Sequence, residues 1–143
     1  MNIAAQLVTS YIASAAFGII FNAPKRTLLQ CGFIGMAGWL LYILCQEFSL
    51  DVTAAALIAA FAVTVVSQLF AKAYKTPIIV FNVAGIIPLV PGGLAYDAMR
   101  NAVENQYDQA VQLAAKAFMI SGAIAIGLVF SEVLNQIIRR SRL

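Results

Sequence analysis

Two prolines three residues apart, followed at once by two glycines, interrupt an apolar stretch of this chain: Gly85-Ile86-Ile87-Pro88-Leu89-Val90-Pro91-Gly92-Gly93. A regular helix cannot pass through such a run, because each proline removes a backbone donor and its ring clashes with the preceding turn. The glycines add backbone freedom. In lipid the released N–H and C=O groups have no water to bond, so the break must be buried in protein or line a watery cavity. Counted at about 1.5 Å per residue from Pro77, it falls near the middle of a membrane. Pro91 is placed to open a second half-helix toward Arg100. Gly92 and Gly93 would let its N–H groups approach a ligand closely, and the positive end of a helix favours a carboxylate. Discontinuous helices at the midplane hold small substrates in transporters. The competing reading is a kink that serves helix packing. Asn82, one to two turns earlier, offers either a contact to the ligand or an interhelical hydrogen bond.

Other chemistry is sparse. Arg100 either steers an anion or pairs with Glu104 at i+4. Gln68 shares a helix face with Thr64 and Lys72 and is costly in lipid, so it should face protein or water. Glu132 is the one carboxylate within a span, and its nearness to the basic C-terminus favours pairing with Arg139 or snorkelling over a proton relay. Tyr96 reads as an interfacial anchor. Histidine is absent, and Cys31 and Cys45 lie in one apolar run as small packing residues. No metal site, cofactor site, nucleophile–base pair or phosphate-binding Gly-Lys-Ser/Thr loop is visible, so an enzyme is not expected. The candidate substrate contacts are therefore Asn82, Gly85, Pro88, Pro91, Gly92, Gly93, Arg100 and Gln68.

The elements that must position these residues are set by composition. Of the 143 residues, 62% are hydrophobic and 10% charged, with mean hydropathy +0.89. That charge is too low to cover a water-soluble domain, whose surface usually requires about 25%. An all-α integral membrane protein follows, expected as one domain over residues 1–143. About 20 apolar residues cross a bilayer, and five segments come near that length: approximately 3–21, 28–45, 52–71, 77–96 and 113–138. The fourth carries the break. The first lacks a preceding Lys or Arg and is too long for the core of a cleaved signal, so it is read as a retained helix. Residues 97–112 form the one sizeable stretch outside, with a composition that suits a helix. Small or polar residues recur at steps of three or four: Gln6, Ser10, Ser14, Gly18 and Asn22; Gly32, Gly35 and Gly38; Ala117, Ser121 and Ala125. Each set is read chiefly as a close-packing stripe.

Net charge is +3, but the basic residues form short clusters between apolar runs, which argues for topology control and against nucleic acid. With five crossings, Lys25, Arg26, Lys72, Lys75, Arg139, Arg140 and Arg142 share one side. Arg100 and Lys116 lie on the other with Glu47, Asp51, Asp97, Glu104 and Asp108. The basic side should be cytoplasmic, leaving the N-terminus outside. A re-entrant fourth segment would weaken this split.

The Pro-Leu-Val-Pro-Gly run at 88–92, followed by Tyr96 and Met99, resembles the small, YjjB-like five-helix subunit of the threonine/serine exporter superfamily. The resemblance extends over nearly the whole chain, including Asn22-Ala23-Pro24-Lys25-Arg26 and Gly38-Trp39-Leu40. It implies half of a ten-helix exporter in a bacterial inner membrane that works with a larger membrane subunit. It also implies a small carboxylate substrate, either a dicarboxylate such as succinate or threonine/serine. Association with further copies of the chain stays open. A non-transporting membrane scaffold is the alternative.

Overall fold

The computed structural model describes residues 2–143, and the described residues form helices joined by short turns. Helix α1 is Ile3–Ile20, α2 is Leu28–Glu47, α3 is Val52–Tyr74, α4 is Ile78–Ile86, α5 is Gly92–Val103 and α6 is Tyr107–Ser141. Short 3₁₀ turns at Lys25–Thr27 and Ile87–Leu89 precede α2 and follow α4. Four helices are long and apolar enough to cross a membrane. The α4 stretch through Leu89 and α5 together make a fifth, bent by 51°.

Four turns use one device to stop a helix. Asn22, Ser49, Lys75 and Asn105 each take positive φ. The next residue then donates its N–H five residues back: Ala23 to Gly18 O, Leu50 to Cys45 O, Thr76 to Ala71 O and Gln106 to Asn101 O, at 2.8–3.2 Å. This Schellman closure satisfies carbonyls that the helix end leaves open. It usually falls to glycine, yet no glycine here has positive φ. Asp51 caps α3, its carboxylate accepting from the Thr53 N–H at 3.3 Å.

The glycines serve packing instead. A Cβ on Gly38 would lie 2.5 Å from Val63 Cγ2, and one on Gly85 would lie 2.6 Å from Ile34 Cγ2 and 2.7 Å from Val63 Cγ1. Those residues lock α2, α3 and α4 together near the midpoints of α2 and α3. On α1, Ser10, Ser14 and Gly18 form the buried stripe. Ser14 packs directly on Gly35, and Gly18 approaches Leu28 and Cys31 of α2. The stripe expected on the last helix does not hold: α6 buries Ile120, Ala123, Ile124, Gly127 and Ser131, while Ser121 and Ala125 are exposed. Gly127 sets that register, because its missing side chain lets α6 sit on the backbone of α3 beside the Leu57 carbonyl.

Helices α3 and α6 run parallel. Gly127 lies by Leu57, the rings of Phe61 and Phe130 meet at a tilt with centroids 6.0 Å apart, and Gln68 reaches Glu132. The bent α4–α5 pair must therefore return the chain to the end where α3 began, and it counts as one crossing of the bundle. The last helix starts earlier than expected, at Tyr107, and its first turns pair with α5 in a hairpin closed at Asn105. The basic residues do gather at one end. Arg26 donates to the Tyr74 carbonyl at 3.3 Å, joining the first turn to the end of α3, and Lys72 and Arg139 line one cleft.

Candidate functional site

The break begins one turn beyond Gly85. Pro88 offers no N–H to the Ala84 carbonyl, so the α-helix tightens into a 3₁₀ turn at Ile87–Leu89 and then opens at extended Val90. At the start of α5 the Gly92 N–H donates to Val90 O at 2.8 Å, and the Ala95 N–H to Pro91 O at 3.1 Å. The Gly93 and Leu94 N–H groups have no carbonyl within their own helix. Nothing lies within 4 Å of a Cβ built on Gly92 or Gly93. The new helix therefore starts in open space.

The break has two faces. On one, Pro88 closes a cleft of about 270 Å³ against α1 and α2, lined by Gln6, Ser10 and Trp39. There the Trp39 indole donates to Gln6 Oε1 at 3.1 Å. Ser14, fully buried beside Gly35 and close to Pro88, has a hydroxyl with no hydrogen-bond partner among the described residues. On the other face, Pro91 and Gly92 border a cleft of about 410 Å³ between α5 and α6, floored by Ala95, Ala98, Ala114 and Ala117. Asn82, on α4, keeps a buried Oδ1 without a partner among the described residues. An unpaired buried carboxamide oxygen costs on the order of 1–3 kcal/mol, so Asn82 is free to meet a donor.

The remaining expected residues sit elsewhere. Gly85 faces Ile34 and Val63 in the core and no cavity. Arg100 bonds Glu104 at 3.0 Å on an exposed turn of α5, the i+4 alternative read from the sequence. Gln68 belongs to a third cleft, of about 210 Å³, at the basic end between α3, α4 and α6, with Lys72, Glu132, Asn135 and Arg139. Its amide donates to Glu132 Oε2 at 3.3 Å, and Gln136 donates to Oε1 at 3.3 Å. The expected pairing of Glu132 with Arg139 is thus not what forms: two carboxamides hold the carboxylate, and Arg139, two turns along α6, lines the same cleft without pairing with it. This grouping was half visible in the sequence. Gln68 and Lys72 share one face at i+4, and Glu132, Asn135 and Arg139 share another at i+3 and i+7; their meeting depends on α3 and α6 running parallel.

A broken helix at mid-depth, buried polar groups near it without partners among the described residues and a bundle of apolar spans fit a transport path. The family model described as Threonine/Serine exporter, ThrE, matches residues 6–134. The chain belongs to the threonine/serine exporter family. That is a family of membrane transporters, and the matched region runs from within α1 through most of α6, including the break. No solved structure matches the chain.

Proposed function

We propose that this family member is one subunit of an exporter for a small carboxylate metabolite, threonine or serine or a dicarboxylate such as succinate, and that it acts with a larger membrane subunit. The observation carrying this reading is the interruption at Ile87–Pro91. It opens two helix ends inside the bundle, where a continuous helix would present only side chains. The half-helix beginning at Gly92 leaves the Gly93 and Leu94 N–H groups without a carbonyl of their own helix, the kind of end that suits a carboxylate. The partner reading is supported by the α5–α6 hairpin, where Met99 and Val103 on α5 and Val111 and Phe118 on the early turns of α6 are exposed apolar residues. Apolar surface of that kind is characteristic of an interface.

Cells loaded with threonine or with succinate, and carrying this chain with its partner, are expected to export at least one of the two faster than cells lacking both. Equal efflux of both compounds in the two strains would reject the exporter reading. A scaffold role would then gain.

The same proposal places the chain in a bacterial inner membrane with its basic end cytoplasmic. Cys31 and Cys45 are buried and contribute little background to thiol labelling. An impermeant maleimide should therefore modify a Glu104→Cys variant in intact cells and a Lys75→Cys variant only after permeabilisation. The reverse pattern would invert the orientation.

A further inference from the structure

We infer that the cleft between the basic ends of α3, α4 and α6 is a recognition site for a zwitterionic α-amino acid, with Glu132 receiving the ammonium group and Lys72 and Arg139 the carboxylate. The inference rests on the exporter reading and narrows its substrate class.

The argument starts from Glu132. A carboxylate on a helix whose neighbours Val133, Leu134, Ile137 and Ile138 are exposed and apolar is expensive in a membrane unless a partner or a function holds it. Its two carboxamide contacts, from Gln68 and Gln136, are 3.3 Å long and neutral. A carboxylate offers about four acceptor positions, so two remain. Among the described residues the ion pair formed is Arg100–Glu104 on α5, so no cation lies within ion-pair distance of Glu132. Lys72 and Arg139 line the same cleft and likewise make no ion pair, although both signs of charge are present. The cleft, of about 210 Å³, is therefore lined by positive and negative groups that form no ion pair with one another. That arrangement complements a small molecule bearing an amine and a carboxylate on one carbon.

The same charges discriminate. A dicarboxylate would bring its second anionic group toward Glu132, and like charges forced together oppose binding. Gln68 and Asn135 add neutral amides that suit a side-chain hydroxyl. Ser67 and Ser131, buried at the same α3–α6 interface, have hydroxyls without partners among the described residues; this part of the interface is unusually polar for a packing seam.

The test is binding, measured as ligand-induced thermal stabilisation of the detergent-purified protein with its partner. L-Threonine should stabilise it, whereas succinate and 3-hydroxybutyrate (threonine without its amine) should not. Glu132→Gln, close in shape, should weaken threonine binding at least tenfold, and Arg139→Gln should weaken it too. If Glu132→Gln does not fold, Arg139→Gln and the ligand comparison on the wild type still decide. Equal stabilisation by 3-hydroxybutyrate, or unaltered threonine binding in Glu132→Gln, would overturn the site. If that variant binds normally yet fails to export, Glu132 carries a proton and the ammonium role is wrong. The exporter reading is judged separately by efflux. A wild type that exports neither compound but binds threonine through Glu132 refutes export and keeps the site.

Discussion

Replacing Gly127 by valine should destabilise the protein by at least about 2 kcal/mol and abolish transport with it. Overpacking a tight interface costs roughly 1–3 kcal/mol when side chains can shift. Here a Cβ would already lie 2.7 Å from the Leu57 carbonyl oxygen, 3.1 Å from Ala60 Cβ and 3.2 Å from the Phe61 nitrogen. Two of those three atoms are backbone in the middle of α3 and cannot rotate away. The helices must part, and the separation reaches Gln68 and Glu132 on the same seam. Gly122, about one and a half turns earlier on α6, has nothing within 4 Å of its would-be Cβ. Gly122→Val should therefore stay within about 0.5 kcal/mol of wild type, as surface substitutions do. Denaturation in detergent of both variants, with efflux alongside, checks the pair. Similar losses for the two would show that helix composition matters here and the α3–α6 contact does not.

The second large effect has the opposite sign on stability. Converting Pro88 and Pro91 together to alanine should leave thermal stability equal or higher and lower transport at least tenfold. Proline inside a helix is disfavoured by about 3 kcal/mol relative to alanine, so the double variant regains backbone bonds to the Ala84 and Ile87 carbonyls. Against straightening stands the packing of α5 on α6, made largely of small residues such as Ala98 and Ala110, each of which buries little apolar area. The 51° bend should relax, closing the open start of α5. A protein more stable than wild type but inactive would place the break among features kept for function at a cost in stability. Wild-type efflux from a straightened protein would make the bend a packing device. Purified-protein melting and efflux from loaded cells separate these outcomes.

Much of this molecule was set by its sequence. Hydropathy defines the spans because a bilayer demands about 20 apolar residues in a row and tolerates few charges. Pro88 and Pro91 interrupt the fourth span whatever surrounds it, since the missing N–H groups are a covalent fact. The basic clusters and the Asp51 cap were equally local. Helix ends at Asn22, Ser49, Lys75 and Asn105 were harder to read, because the αL position usually reserved for glycine is filled by other residues.

What the tertiary structure alone decided is which faces meet. One stripe of small residues, Ser10-Ser14-Gly18, packs as its spacing suggests; another, Ala117-Ser121-Ala125, turns away, because Gly127 fixes the rotation of α6 on α3. Of the expected site residues, Pro88, Pro91 with Gly92, and Gln68 line three different clefts, while Gly85 packs in the core and Arg100 sits on an exposed turn. Spacing along one helix shows which side chains share a face, but the face it meets depends on the direction and rotation of a neighbour brought near by non-local contacts. Glu132 lies 64 residues from Gln68 in sequence. Only the parallel packing of α3 and α6, permitted by one glycine, puts the carboxylate and the amide at one end of the bundle, with Lys72 and Arg139 around the same cleft.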